Sequence, residues 1–297
     1  IKTVQEKWKP YNFKEQNIDN FLQNLNIDKM VEISSINGGY SNALKQLNKF
    51  IDIGYQDYAK YSSNPSKEAS SQLSPYFHFG QISTHEVFEK ISSLESWSLE
   101  SIDPKMVGRR EGWWGSTENF ESFMDELITW RELGYHTCVR RANYDQYSSL
   151  PEWAIKTLTD HSSDEREHIY SLDELTYSQT HDEIWNAAQN QLRTQGIIQN
   201  YLRMLWGKKI LEWTPNPQIA LSYMITLNDR YALDGRDPNS YSGVFWILGR
   251  YDRAWGPERS IYGKIRYMTS DSTSKKFNLK PYLEKWSNES LGIHTSL

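Results

Sequence analysis

The chain of 297 residues contains one cysteine, Cys138. That excludes an internal disulfide framework, a CxxC zinc site and a cysteine-ligated iron–sulfur cluster, and it fits a reducing cytoplasm. No metal site is expected. Long apolar runs are missing as well: none approaches the roughly 18 residues that mark a membrane helix. The N-terminal IKTVQEKWKP has neither an apolar h-region nor a cleavage signal, so a soluble protein is expected. Net positive charge is also lacking. At −5, the chain is unsuited to indiscriminate binding of polyanions, which requires clustered Lys and Arg.

Strand signals are scarce, and helical periods dominate what is present. In ALKQLNKFIDIGYQDYAKY, Leu44, Leu47, Phe50, Ile51 and Tyr55 recur near a 3.6-residue period. Similar periods run from Ser83 to Ile91, Glu118 to Arg141, Trp185 to Leu211 and Asn216 to Leu227. Loops are expected at Ser62–Ser71, around Asp160–Asp164 and at Asp234–Gly243. The pattern predicts an all-α chain without internal repeats. Residues 1–30 read as a linker or arm broken at Pro10 and Asn12, residues 31–290 as the helical domain, and residues 291–297 as a tail.

Aromatic residues are abundant, with 12 Trp and 19 Tyr. Trp185, Trp206 and Trp213 fall within one helical-looking stretch, and the last two are about two turns, or roughly 10 Å, apart along one face. Such spacing usually serves core packing; beside a redox cofactor it would also allow electron hopping. From Arg250 to Lys280, eight basic residues outweigh three acidic ones. This local basic stretch suits either a selective DNA reader or a solvated loop.

Several blocks carry a resemblance: Gly38-Gly39, SSQLSPYFHFGQIS (Ser70–Ser83), ELITWREL (Glu126–Leu133), the tryptophan stretch His181–Trp213, LNDRYALDGRDPNSYSGVFW (Leu227–Trp246) and GKIRYM (Gly263–Met268). In order and spacing they resemble the flavin-binding domain of the photolyase and cryptochrome family, and within it the class II cyclobutane pyrimidine dimer photolyases. The resemblance implies the family's helical FAD-binding fold, with FADH⁻ as the active form of the cofactor and DNA containing a pyrimidine dimer as the partner. It also implies a monomer that splits the dimer by light-driven electron transfer, with no net redox change.

Residue by residue, the resemblance implies that Ser70, Ser71, Leu73, Ser74 and Tyr58 hold the FAD phosphates. Arg203 and Asp234 would form an arginine–carboxylate pair across the flavin, with Gly235 allowing close backbone approach and Arg236 and Asp237 extending the loop. Asn228 would face the flavin N5, and Asn200 would be a further contact. Trp130 and Trp246 match the rings that hold the flipped dimer, Met204 lines the same cavity, and Glu126 hydrogen-bonds the dimer carbonyl. Trp206, Trp185 and Trp213 match the electron chain, in that order from the flavin outward. Arg250, Arg253, Lys264 and Arg266 would contact DNA.

The chain departs from the class II pattern at Ser62-Ser63, where an Arg-Asn pair is usual, and at Ile198-Gln199-Asn200. Nothing ahead of Gly38 supplies the nucleotide-fold antenna module that the family carries, so a trimmed chain or a short member without an antenna chromophore is expected. A cryptochrome-like photoreceptor without repair activity is the alternative. A (6-4) photolyase ranks below it, because no histidine pair occupies the matching position and His78 reads as structural.

Overall fold

The computed structural model describes residues 2–8, 18–106, 108–109 and 111–293. Contacts divide it into two units, Ile1–Ile33 and Ser34–Leu297. The first holds helices α1 (Lys2–Lys7) and α2 (Ile18–Asn24). Pro10 and Asn12, on which the expected break rests, lie outside the described residues, as do residues 294–297 of the expected tail.

The second unit begins with α3 (Tyr40–Lys49), which buries Ala43 and Leu47 one turn apart. The predicted helix does not keep one pitch. It widens into a π-helical turn over Phe50–Gly54, tightens to a 3₁₀ turn over Tyr55–Asp57 and resumes as α4 (Tyr58–Tyr61). Helices α5 (Ser74–His78) and α6 (Thr84–Leu94) follow, the latter started by Ser83, whose hydroxyl accepts the Glu86 N–H. Helix α7 (Glu118–Met124) is capped by Thr117. It passes through a second π-helical segment, Asp125–Trp130, into α8 (Arg131–Arg140). One core forms here, from Leu47, Phe50, Tyr55, Tyr58, Leu73, Phe120 and Phe123 among others.

Helices α9 (Glu152–Asp160) and α10 (Leu172–Thr176) lead to four helices that hold most of the fully buried side chains: α11 (Glu183–Gln195), α12 (Asn200–Glu212), α13 (Pro217–Tyr231) and α14 (Pro238–Ile247). The stretch read as one helix from Trp185 to Leu211 is two. Gly196 takes a left-handed conformation (φ 75°) that closes α11, and the Gln199 side chain caps α12 by accepting the Leu202 N–H at 3.1 Å. The stretch read as a loop from Asp234 to Gly243 is half helix, because Asp237 caps α14 and Pro238 occupies its first turn. Helices α15 (Ser270–Lys276) and α16 (Lys280–Trp286) complete the unit. Among the described residues no sheet forms; a single bridge joins Arg259 and Gly263.

Two glycines set the helix approaches that matter for the site. A Cβ on Gly207 of α12 would come within 2.2 Å of Ile247 Cδ1, so α12 and α14 touch through a bare backbone. A Cβ on Gly134 of α8 would meet Ser242 Oγ at 2.8 Å and Asn239 Oδ1 at 3.0 Å, which brings α8 against α14. Larger residues at either position would push α14 away from the helices that flank it.

Candidate functional site

Three polar side chains from α12, α13 and the loop after α13 converge. Arg203 Nη1 donates to Asn228 Oδ1 at 3.1 Å, and its Nη2 stands 4.0 Å from Asp234 Oδ1. Asn228 is buried. Asp234 Oδ1 is buried too, yet it has no hydrogen-bond partner, an arrangement that is costly unless a ligand supplies the missing donor. The loop is fixed behind it: the Leu233 N–H donates to the Gly196 carbonyl at 2.8 Å, and Ser240 Oγ donates to the Asp234 carbonyl at 2.7 Å. The cluster therefore suits a planar ligand edge that carries both donors and acceptors, as an isoalloxazine ring does.

Gly235 is also required by the protein's own packing. A Cβ there would strike the Ala232 and Asn228 carbonyls at 2.9 Å, so the glycine lets the loop press on the end of α13. Arg236, exposed at φ 66°, donates its N–H to Asp229 Oδ1 at 3.0 Å. Asp237 is buried, caps the Asn239 N–H at 3.0 Å and lies 3.5 Å from His78 Nδ1. That contact links the α14 start to α5, whose first residue is Ser74. Ser70 and Ser71 are half-buried on the loop before it, Leu73 is buried, and Ser71 Oγ accepts the Leu73 N–H at 3.4 Å. Asn200 is exposed at the start of α12, three residues from Arg203 and so on the same face.

The π-helical segment carries the second group. The Trp130 ring meets Trp246 of α14 at a centroid distance of 4.5 Å and an angle of 51°. Tyr251 stands 6.3 Å from both rings and is pinned by its hydroxyl, 2.5 Å from Thr137 Oγ1. The sequence reading missed Tyr251; its signal was an aromatic residue one position after the basic Arg250. Glu126 is exposed as a residue, while the protein around its carboxyl desolvates it. Burial, helped by the charge of Asp125, pushes it up to about 7. Burial first, then the Glu126 charge, raises the hydroxyl pKa of Tyr58, so Tyr58 lies within electrostatic reach of Glu126. Met204 is half-buried beside Arg203 on α12.

The three tryptophans are buried. Trp206 and Trp213 belong to α12 and its C-terminal cap, and Trp185 of α11 bridges them. Trp185 Nε1 donates to the Trp206 carbonyl at 2.9 Å, and the Trp185 and Trp213 rings lie 5.6 Å apart, edge to face. Trp213, expected toward the surface, is only 2 % exposed. Tyr170 and His181 continue from it, with ring centroids at 5.4 and 5.2 Å.

The four basic residues expected on DNA are divided. Arg250 is buried: it donates to the Tyr144 carbonyl at 2.9 Å and to the Ser149 hydroxyl, and its guanidinium stacks 3.8 Å from the Phe245 ring centroid. It ties the 144–149 loop to α14 and is withdrawn as a phosphate contact. Arg253 and Arg266 are exposed and flank Trp255 at 4.6 and 5.1 Å. Lys264 is exposed but paired with Glu258 at 3.3 Å.

No family model matches the chain. A deoxyribodipyrimidine photo-lyase of Methanothermobacter thermautotrophicus is 40% identical over 255 residues, covering 86% of this chain and 52% of that protein. Among solved structures, a class III photolyase from Agrobacterium tumefaciens superposes with a TM-score of 0.60 at 18% identity, over 95% of this chain and 49% of that one. An archaeal photolyase from Sulfolobus tokodaii, solved with two FAD molecules, gives 0.57 at 17% identity, over 94% and 52%. At such identities these two speak for the fold alone. The chain spans about half the length of the curated relatives it matches. The helical architecture and the identity across most of these residues show that the chain belongs to the photolyase and cryptochrome family.

Proposed function

We propose that this chain is the FAD-binding and lesion-binding part of a light-dependent deoxyribodipyrimidine photolyase, of the class II kind that its motif blocks resemble. The observation that carries the reading is the Trp130–Trp246 ring pair, with Glu126 one helical turn from Trp130 and its carboxyl held near neutrality. When bound, reduced and light-excited FADH⁻ supplies one electron to the dimer and receives it back after the ring has split.

The protein's residues set the stage for that transfer. Arg203, Asn228 and Asp234 grip one edge of the isoalloxazine, and the Ser70–Ser74 loop with Tyr58 takes the phosphates. Trp130 and Trp246 offer apolar faces to a dimer swung out of the duplex. A protonated Glu126 donates a hydrogen bond to a dimer carbonyl and offsets the negative charge that develops there. Trp206, Trp185 and Trp213 pass electrons inward to restore the reduced cofactor. Arg253 and Arg266 contact backbone phosphates. The reading takes a monomer in the cytoplasm and assigns no antenna chromophore to these residues.

The test is blue-light repair of an oligonucleotide carrying one thymine dimer by flavin-loaded, chemically reduced protein, with a dark control. Light-dependent restoration of the thymines is expected. Intact dimers in the presence of bound, reduced flavin would turn the reading to a photoreceptor.

A further inference from the structure

The two inner indoles of the relay direct their N–H groups at neutral carbonyl oxygens. Trp206 Nε1 donates to Gln189 Oε1 at 2.8 Å, and Trp185 Nε1 donates to the Trp206 backbone carbonyl. Gln189 is fully buried on α11. Its Nε2 donates to the Thr176 carbonyl at 3.4 Å, which turns the amide oxygen, and not the nitrogen, toward Trp206. A basic ring stands instead at the outer end, where the His181 ring centroid lies 5.2 Å from the Trp213 ring; Lys209 Nζ, 5.4 Å from the same ring, is ion-paired with Glu212.

An indole that has lost an electron is far more acidic than the neutral ring. Beside a carboxylate or an imidazole its N–H proton would leave, and the positive charge would be trapped as a neutral radical. An amide oxygen is too weak a base to take the proton, yet its dipole stabilises the cation in a dry site. We infer that Gln189 is a positioning residue of the electron relay: it keeps the proton on Trp206 while positive charge passes, so that the charge moves outward.

The inference rests on the electron-transfer role proposed above. The one-electron oxidant of Trp206 would be a bound, light-excited oxidised flavin. Trp185 refills Trp206, Trp213 refills Trp185, and a reductant of the thiol class refills Trp213 from solution. No N–H bond breaks at Trp206 or Trp185.

The test follows indole radicals by transient absorption after a blue flash on the flavin-loaded chain, in H₂O and D₂O. Alongside, the exchange of the Trp206 indole N–H is measured by NMR in the dark. The parent protein is expected to show cationic indole radicals without a solvent isotope effect, and a dark N–H strongly protected from exchange. Gln189→His supplies a base, and a neutral radical should form early, with an isotope effect and a severalfold loss of photoreduction. Gln189→Met removes the acceptor without supplying a base, so the yield should fall while the radicals stay cationic. Yields equal to the parent's in either variant, or a freely exchanging Trp206 N–H, would overturn the inference. A parent protein that never photoreduces its flavin despite a protected N–H would instead sink the electron-transfer reading on which it rests.

Discussion

Trp130 and Trp246 come from different halves of the chain and meet with ring centroids 4.5 Å apart, where α8 and α14 are brought together by Gly134. If this pair receives the flipped dimer, Trp130→Ala and Trp246→Ala each remove a stacking face worth about 1–3 kcal/mol. Dimer affinity should fall roughly fivefold to 150-fold, while flavin binding and photoreduction persist. Titration of a fluorescent dimer oligonucleotide against the flavin-loaded variants checks this; loss of flavin together with affinity would contradict it.

The Glu126 carboxyl, pushed up to about 7 mainly by burial, sets a pH window for repair. It holds its proton below that value and loses it above, so the repair rate per photon should decline as pH rises through about 7. Glu126→Gln keeps a donor that cannot ionise, and it should retain activity with a flat profile. A parallel decline in the parent and the glutamine variant would point to another group.

Asp234 Oδ1 has no hydrogen-bond partner and lies 4.0 Å from Arg203. Asp234→Ala should weaken flavin binding by about 2–4 kcal/mol, the range for losing one partner of a buried charged contact. The purified variant should be pale and should regain colour only at high added FAD, as read by absorbance after gel filtration. Its thermal stability without flavin should change little, because no hydrogen bond to that oxygen is lost.

Arg250 and Arg266 should separate in their effects. Arg250→Ala empties a buried site bonded to Tyr144 and Ser149 and should cost about 2–4 kcal/mol of stability, leaving the salt dependence of DNA binding unchanged. Exposed Arg266, in contrast, should lower the slope of log affinity against log salt by about one when replaced by alanine, with the melting temperature unaltered. Calorimetry and binding across a salt series measure both.

Lys208, two residues beyond Trp206 on α12, is fully buried and donates to the Ile247 carbonyl at the end of α14. Burial pushes its ammonium down to about 7. Between that pH and the unfolded value of 10.5, the unfolded chain binds more protons, so stability should rise with pH across the window. Lys208→Met should abolish the rise and, below pH 7, match or exceed the parent in stability. Denaturant midpoints of both proteins from pH 6 to 10 decide the point.

Much of this was readable in advance, for definable reasons. Periodicity reveals amphipathic helices, and α3, α6, α7 and α13 stand where apolar residues recur. The break between α11 and α12 was missed because Gly196 and Gln199 sit inside a stretch that stays apolar enough to look continuous. The start of α14 was hidden because Asp-Pro-Asn-Ser is loop-like in composition and becomes a cap and first turn only in context. Arg250 was misassigned because charge in a sequence carries no sign of burial, and its partners Tyr144 and Ser149 lie a hundred residues away. The Trp206–Gln189 bond was equally invisible, since it joins two helices whose relative rotation is set by packing.

The π-helical segment Asp125–Trp130 takes up one residue of length. A π turn accommodates one residue more than an α turn, which rotates everything beyond it by roughly 100° relative to the same residues wound as an uninterrupted helix. Regular pitch over the unshortened segment would therefore swing Trp130 and Gly134 away from α14 together, whereas deleting a single residue there and restoring regular pitch would cancel the rotation. Among variants of this chain, a one-residue gap in that segment should leave Gly134 against α14, and the same gap inside the regular turns between Arg131 and Gly134 should not.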